Sequence, residues 1–461
     1  MKRNQILSKS LTAIVFSCAI LFTQCKKKEE AAPQYLTSQE PDATPSESLD
    51  PGVPPEGNAT TVAYTIKADE YMIDNDVLNL PAGSVIAIES GTRGPLYVKN
   101  FKGTASAPFT FINKGGKVTF QVSPTGSFSF KTDNCSHFVI SGSGSSDQYG
   151  IEIAGGNLGL SLDNMSTNFE VHNLEIHSCG FAGIMAKTDP RCDGSANKGT
   201  FTMQDIKFHH NYIHNVGGEG FYIGNSFYSG WTGNKSCSGT ELHPHDIHGV
   251  RLHDNIVKQT GWDGIQVGCA SADAEIYNNL IEDYGMEGVP VHSNGIQLGE
   301  GTTGKCYNNI IKNGKGHGII LLGLGGNEIY NNLIINPNRG VFADSRVTNS
   351  GTDFAFYNNT IVNPTQEGFL IYSNITQNKF YNNIVTGADV AIKYGNGASG
   401  DERNNFHGSA QDAGFVSATD FRLAPGSKCI DQGITVDVFN FDLDKKRRPA
   451  GGAFDIGAYE F

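Results

Sequence analysis

The chain has 461 residues, 56 of them glycine, and a formal net charge of −13 at pH 7. The negative charge argues against nucleic acid or an anionic lipid surface as a partner. The roughly 400 residues that can fold are too many for one compact core, whereas a repeat array avoids that limit by growing along an axis.

Residues 1–25 are predicted to be a lipoprotein signal peptide. Basic residues precede an apolar run that is too short to span a bilayer comfortably, and the run ends at "LFTQC". Cys25 is the predicted lipidated residue, with Cys18 as the alternative. This segment predicts an outer-membrane lipoprotein of the cell envelope, which contacts the membrane only through its lipid anchor.

The next residues, "CKKKEE", resemble the sorting tag of surface-exposed bacterial lipoproteins, although a charged, solvated spacer is an equally good interpretation. Residues 26–60 are rich in Pro, Glu, Ser and Thr and have few apolar side chains. Such a composition cannot bury enough surface to fold, so this segment is predicted to be a disordered tether.

A short motif then returns along the chain. "EIYNNLI" stands at 275–281 and again at 328–334, with close copies at 306–311, 356–361 and 380–385. Charged, apolar and aromatic residues alternate before each Asn pair, as in a strand with one buried face. The second Asn of each pair is predicted to stack in one corner column, at Asn211, Asn255, Asn279, Asn309, Asn332, Asn359 and Asn383.

A glycine recurs eight or nine residues after six of these positions and opens a second short strand, at Gly220, Gly264, Gly288, Gly318, Gly340 and Gly368. Gly183 stands nine residues after Leu174, which occupies the same position one turn earlier. Two or three short strands in each turn of about 23 residues predict an all-β parallel β-helix solenoid. Equivalent strands of successive turns would lie about 4.8 Å apart, so equivalent side chains would form ladders. Cys306 occupies an inward position and is predicted to be a core residue.

This pattern resembles the right-handed parallel β-helix superfamily of pectate lyases, polygalacturonases and related carbohydrate-active proteins. The resemblance implies a first unit at 61–130 with an N-terminal cap and opening turns, repeats at 131–414 and a C-terminal cap at 415–461. The segment 80–120 looks like the opening turns of alginate and chondroitin lyase-type β-helices. The ending "DIGAYEF" is similar to a segment of exported bacterial β-helix proteins.

Insertions indicate where a site could lie. Two long loops, roughly 187–204 and 224–248, and a smaller one at 286–294 are predicted to leave the solenoid after the same strand and to wall a groove. Cys192 and Cys237, one in each long loop, form a candidate disulfide.

The groove is predicted to bind sugar, because aromatic rings stack on sugar faces and amides pair with hydroxyl groups. The alternative is a solvated sheet face. The predicted substrate-binding residues are Tyr222, Trp231, Gln266, Gln297, Asp189 and Arg191.

β-Elimination of a uronic acid polymer needs a base and a cation that neutralises the carboxylate. The residues predicted to supply them are Lys187, His243, His245, Arg251 and His292. The base-bearing motifs of the alginate and chondroitin lyases and the paired aspartates of polygalacturonases have no counterpart in this chain. A polysaccharide lyase is favoured over a glycoside hydrolase, and a non-catalytic surface module that binds glycan or adheres is the alternative.

The second long loop also contains residues that could bind a metal ion. His243 and His245 are two residues apart and, with Asp246 or His248, could hold a divalent cation such as Ca²⁺. No second cluster with ligand spacing completes the set, so no metal ligand is assigned, and a bound divalent cation stays an open alternative. The chain is expected to be a monomer with a polysaccharide partner.

Overall fold

A computed structural model describes residues 61–231, 237, 239–344, 354–374 and 377–461. The predicted signal peptide, its Cys25 and the predicted tether lie outside these residues. Within the described ranges, no helix is long and apolar enough to cross a membrane.

The larger sheet, sheet A, contains 23 strands in the described part of the chain, and its ladders are parallel. Its strands are β1 (Val62–Ile66), β3 (Val85–Arg93), β5 (Phe109–Val122), β7 (Ser136–Ser141), β8 (Ile151–Gly155), β10 (Thr167–His172), β11 (Leu174–His177), β13 (Thr202–His209), β14 (Tyr212–Val216), β16 (Asp246–His253), β17 (Ile256–Thr260), β19 (Ala272–Tyr277), β20 (Leu280–Glu282), β22 (Lys305–Tyr307), β23 (Ile310–Lys312), β25 (Glu328–Tyr330), β26 (Leu333–Ile335), β28 (Ala355–Tyr357), β29 (Thr360–Val362), β31 (Gln377–Tyr381), β32 (Ile384–Thr386), β34 (Ser399–Arg403) and β35 (Phe406–Gly408).

Sheet B has 12 parallel strands over the same described ranges. They are β2 (Met72–Asp74), β4 (Leu96–Lys99), β6 (Phe128–Asp133), β9 (Leu158–Asp163), β12 (Ala182–Ala186), β15 (Phe221–Ile223), β18 (Ile265–Val267), β21 (Ile296–Leu298), β24 (His317–Leu321), β27 (Arg339–Ala343), β30 (Phe369–Ile371) and β33 (Ile392–Tyr394). Two short helices, α1 (Asn75–Leu78) and α2 (Ala410–Ala413), complete the elements.

A regular turn contributes two strands to sheet A and one to sheet B, and each strand pairs with the same strand of the next turn. Tyr277, for example, pairs with Tyr307, which pairs with Tyr330. The ring centroids of these three side chains are 4.9 and 4.7 Å apart. The predicted all-β parallel β-helix solenoid is confirmed.

The corner between the two sheet A strands carries the predicted Asn column. The Nδ2 of Asn279 donates to the Oδ1 of Asn309 over 3.0 Å, and Asn309 donates likewise to Asn332. The ladder runs without a break through Asn211, Asn255, Asn279, Asn309, Asn332, Asn359, Asn383 and Asn405. The column prediction is therefore confirmed.

The two residues of an Asn pair perform different tasks. The first residue takes the left-handed conformation, with φ of 55° at Asn278 and 53° at Asn308. Asn adopts this conformation more readily than most residues do, because its short polar side chain can bond locally. The second residue turns its amide into the interior and builds the ladder, so one column bends the chain and the other bonds successive turns.

Apolar side chains of all turns fill the interior. The column three residues before the ladder is fully buried at Phe208, Leu252, Ile276, Cys306, Ile329, Phe356 and Phe380. Burial of these side chains is the main favourable term in folding. The prediction that Cys306 is a core residue is confirmed.

The repeat glycine of one turn differs from the predicted one. Gly288 lies in a loop, whereas Gly295 directly precedes β21 and donates its N–H to the His317 carbonyl over 2.9 Å. The prediction that Gly288 opens a strand was therefore wrong. The spacing misled because this turn has its insertion before the sheet B strand, so that the regular count from Asn279 ends inside the insertion.

The segment 415–461 covers the side of the solenoid. The Asn358 amide donates to the Asp455 carbonyl over 2.8 Å, and the Ala458 N–H donates to the Thr360 hydroxyl over 2.9 Å. This segment thus meets polar groups that sheet A turns outward, while α2 packs on β32 and β35. The segment therefore lies against the outer side of sheet A.

Candidate functional site

The insertions surround the outer face of sheet B from two sides. Loops 187–204 and 224–248 follow the carboxyl ends of β12 and β15, as predicted. Loop 286–294 precedes β21 and therefore lies at the amino-terminal end of the strands, which corrects the prediction that all three loops leave after the same strand. The outer face of β12, β15, β18 and β21 consequently has walls at both ends of its strands.

The two long loops are joined to each other and to a later turn. Cys192 and Cys237 form the disulfide that their positions suggested, with a Cα–Cα distance of 5.2 Å. In the second loop, the Ser229 hydroxyl donates to the Glu300 carboxylate over 3.0 Å. Glu300 follows β21, so this loop extends across two further turns of the solenoid.

Lys187 lies at the start of the first loop and is a fixed cation. Its Nζ is 2.6 Å from Asp189 Oδ1 and 5.4 Å from the centroid of the Tyr222 ring. Burial opposes the charge, but Tyr222 and Asp189 outweigh burial and raise the pKa of Lys187. Lys187 is therefore protonated at neutral pH and suits charge neutralisation better than proton abstraction.

His245 holds the two long loops together. Its side chain is fully buried, its Nε2 accepts from the Thr188 N–H over 3.1 Å, and its Nδ1 lies 3.0 Å from the Asp246 carbonyl, to which it donates. Burial lowers the pKa of His245, so the ring is neutral. Because the backbone engages both ring nitrogens, we assign His245 a positioning role in place of the predicted catalytic one.

The other residues predicted for catalysis are dispersed. Arg251 lies on β16 in sheet A, where its guanidinium is 2.8 Å from the Asp273 carboxylate, so it does not share the face of sheet B. The side chain of His243 is 43% exposed on the second loop. His292, in the third loop, packs on Trp262 with a ring separation of 5.1 Å, and burial lowers its pKa.

Tyr222, Gln266 and Gln297 stack in register on the outer face of sheet B. The Gln297 amide donates to Gln266, and the Gln266 amide donates to the Ser226 hydroxyl, each over 3.0 Å. Gln266 and Gln297 are only 1% and 7% exposed. The two amides thus support the second loop from beneath, whereas Tyr222 is only half buried.

The remaining predicted sugar contacts lie on the loops. Trp231 is 39% exposed and packs on Phe227 at 5.4 Å, and the Asp189 side chain is exposed beside Lys187. Arg191 donates from Nη2 to Asn164 Oδ1 over 3.4 Å. These side chains form the wall of the groove, not its floor.

Four half-buried rings form a connected patch on the outer side of sheet B, which we call the ring cluster: Phe181, Tyr222, Trp262 and His292. Phe181 contacts Tyr222 at 5.7 Å and Trp262 at 5.5 Å, both edge to face, and Trp262 contacts His292. Gly218 makes room for this arrangement, since a Cβ there would lie 2.6 Å from the Phe181 ring. The cluster crosses four consecutive turns.

A polar column immediately before the repeat glycines was missed by the sequence analysis. It consists of Glu219, Asp263, Asn294, His317, Arg339 and Glu367. Glu219 and Asp263 are buried, and burial raises the pKa of Glu219 to about 7 and that of Asp263 well above its usual value. The signal was present in "EGFYI", "DGIQV" and "NGIQL", where a polar residue precedes each glycine.

The residues considered for a cation do not converge. His245 is engaged as described, and His248 Nε2 lies 3.2 Å from the Ser271 hydroxyl. Over the ranges that the structure describes, no group of three or more His, Cys, Asp or Glu side chains is arranged to hold a metal ion.

Comparison with known proteins agrees with the fold. Residues 238–410 match the family model described as a right handed beta helix region. Similar solved structures include the pectate lyase Pel9A, at 13% identity over 87% of this chain and 97% of that chain, with a TM-score of 0.48. An alginate lyase from Paenibacillus sp. str. FPU-7 is 16% identical over 73% of this chain and 99% of that chain, with a TM-score of 0.42.

A GH136 lacto-N-biosidase from Eubacterium ramulus is also similar, at 13% identity over 74% of this chain and 67% of that chain, with a TM-score of 0.45. No curated protein matches the sequence. The parallel sheets and the match over residues 238–410 agree that the chain folds as a right-handed parallel β-helix.

Proposed function

We propose that this chain binds a polysaccharide on the ring cluster and cleaves it there. The observation that carries the proposal is the contact of four half-buried rings, from Phe181 to His292, inside a groove with walls on two sides. Aromatic rings present flat apolar faces on which sugar rings can stack. Three steps of about 4.8 Å give a platform roughly 14 Å long, which suits several linked sugar units better than a single one.

Elimination, the reaction first expected, has incomplete support. It needs a base and a cation side by side, but His245 has both ring nitrogens engaged and Arg251 lies on the other sheet. One observation keeps elimination as a second candidate. Protonated Lys187 lies beside the Tyr222 ring, where it could neutralise a uronic acid carboxylate while the phenol transfers a proton.

A surface module that binds glycan without cleaving it is the remaining alternative. Such a module would use the ring cluster in the same way, and it would need no acid or base nearby. The two proposals therefore differ in product formation and not in the site of binding.

Binding is tested with the full chain and a panel of soluble neutral and acidic polysaccharides. Trp262→Ala and Tyr222→Ala should each weaken binding about tenfold, equivalent to about 1.4 kcal/mol. The matched control is Tyr71→Ala, because Tyr71 is an exposed ring outside the cluster, 53% exposed. Equal affinity of all three variants and the parent would place the sugar elsewhere.

We also propose that Cys25 carries the lipid anchor of an outer-membrane protein that acts as a monomer and does not bind nucleic acid. The support is the sequence of the first 25 residues and the net charge of −13. A divalent cation such as Ca²⁺ is tested by dialysis against EDTA. Retained activity after dialysis would exclude an exchangeable cation.

A further inference from the structure

Glu219 and Asp263 occupy the same position on adjacent turns, two residues before β15 and β18 begin. The Gly220 N–H donates to the Asp263 carbonyl over 3.1 Å, and Phe221 pairs with Ile265, so the two turns are in register. Their side chains are 1% and 0% exposed. Two carboxyl groups are thereby buried about one strand spacing apart.

One oxygen of each carboxyl group has no hydrogen-bond partner among the described residues. These atoms are Glu219 Oε2 and Asp263 Oδ2. The other oxygen of Asp263 accepts from the Asn294 N–H over 2.7 Å and from the Asn294 amide over 3.0 Å. Nearly all buried polar atoms in folded proteins are paired, so unpaired carboxyl oxygens on two adjacent turns point to a role other than stability.

The environment keeps a proton on this pair. Burial raises the pKa of Glu219 to about 7, and burial together with the neighbouring Glu219 raises that of Asp263, although Asn294 opposes the second shift. Two carboxyl groups so close together resist losing both protons. Near neutral pH, one member can therefore donate a proton while the other accepts one.

Glu367 shows how the same column is otherwise satisfied. Glu367 lies four turns after Asp263, and its two carboxylate oxygens lie 2.7 Å from Arg339 Nε and 2.7 Å from Lys393 Nζ. Burial opposes ionisation there, but the hydrogen bonds of Lys393 and Arg339 outweigh it and lower the pKa of Glu367 to about 2. Among the described residues, no Lys or Arg side chain forms an ion pair with Glu219 or Asp263. A position in this column therefore does not by itself fix whether a carboxyl group is ionised.

The ring cluster lies beside this pair. Trp262 precedes Asp263 in the chain. The backbone N–H of Trp262 donates to the carbonyl of Gly218, the residue before Glu219, over 3.1 Å. The Trp262 ring is half buried against His292, whose Nδ1 also lacks a partner within the described part of the chain. The carboxyl pair therefore lies next to the ring cluster along the chain.

We propose that Glu219 and Asp263 are the acid–base pair that hydrolyses the glycosidic bond of a polysaccharide held on the ring cluster, an inference that rests on the proposed function. The protonated member donates its proton to the glycosidic oxygen, which keeps the bonding electrons as its bond to the anomeric carbon breaks. The carboxylate member bonds to the anomeric carbon as the leaving group departs. Water then bonds to that carbon, gives one proton to the first member and displaces the carboxylate, so one water is consumed and the pair is restored. This two-step course suits carboxyl groups about one strand spacing apart, because direct displacement by water needs about 6.5–9.5 Å between them.

The test uses the full chain with neutral and acidic soluble polysaccharides, namely xylan, galactan, polygalacturonate and alginate, and measures reducing ends. Glu219→Gln and Asp263→Asn keep the shape of each side chain but can neither exchange the proton nor bond to the anomeric carbon. Each should lower kcat about 10²- to 10⁴-fold while the affinity for the cleaved polysaccharide stays within about twofold. Glu367→Gln makes the same change in the same column and should cleave at the parental rate.

The outcomes separate the two proposals. Parental kcat in both Glu219→Gln and Asp263→Asn overturns the acid–base pair and leaves polysaccharide cleavage in place. A parent chain that neither binds nor cleaves any of the four polysaccharides overturns the proposed function and the pair with it. Because either variant alone tests the pair, the experiment remains decisive when one of them fails to fold, which thermal unfolding of each purified protein detects.

Discussion

Replacing Glu219 by Gln should remove a loss of stability that the parent chain suffers as the pH rises. The carboxyl is 1% exposed, and burial raises its pKa from 4.5 to about 7. Between these values the folded chain still holds a proton that the unfolded chain has released. The free energy of unfolding therefore falls as the pH rises from 4.5 to about 7, by roughly 3 kcal/mol at 1.36 kcal/mol per pH unit.

The assay is urea denaturation of both proteins at several pH values from about 4.5 to about 7.5. The midpoint of Glu219→Gln should fall less than that of the parent, because Gln does not titrate. Glu219 also raises the pKa of Asp263, so its replacement removes that repulsion and adds to the difference.

Glu367→Gln is the matched control. The pKa of Glu367 is lowered to about 2, so its stabilising contribution is present above pH 4.5 and is lost as the pH falls below that value. This variant should be less stable than the parent by a nearly constant amount across the assay range. Identical pH dependence of the parent and Glu219→Gln would refute the reasoning, since it would mean that Glu219 ionises normally.

Three further predictions concern the solenoid, its C-terminal segment and the anchor. Asn309→Ala removes a buried acceptor and donor from the ladder and should cost about 2–5 kcal/mol of unfolding free energy, read by urea denaturation. Arg448→Met leaves the Glu460 carboxylate buried without its partner, at 2.6 Å in the parent, and should cost about 3–5 kcal/mol, with faster proteolysis of the C-terminal segment. Cys25→Ser should move the protein from the membrane to the soluble fraction. Release by Cys18→Ser alone would assign the anchor to Cys18.

The solenoid was predictable because the Asn pair recurs in the sequence at nearly regular intervals. Each Asn of the ladder bonds the Asn of the next turn, so the geometry demands the same residue at the same place, and Asn279, Asn309 and Asn332 reveal it. The division of work within each pair was not predictable. Both residues are Asn, and only the backbone shows that the first takes a positive φ.

The site was harder to predict, because it depends on where the loops fold. Gln266 and Gln297 were correctly placed on the outer face, but the second loop covers them. The burial of the His245 side chain likewise depends on contact between two loops that are far apart in the chain. Glu219 resembles a surface residue in the sequence, since charged residues are rarely buried unless paired.

The irregular spacing of one repeat glycine also prevented the position of the third loop from being predicted. A strand start at Gly288 predicts the third loop at the carboxyl ends of the strands, whereas the loop lies at their amino-terminal ends, near Trp262. Alignment of Gln266 with Gln297 sets Gly264 beside Gly295 and Asp263 beside Asn294, which shows the polar column.

The central claim is that this chain cleaves polysaccharide on the outer face of sheet B. The most direct measurement incubates the full chain with the neutral and acidic polysaccharides and follows both new reducing ends and the ultraviolet absorbance of unsaturated sugars. Hydrolysis by the buried carboxyl pair predicts new reducing ends without unsaturated products. Unsaturated products would show elimination instead, and binding without any product would contradict the claim of cleavage and leave a tethered glycan-binding module.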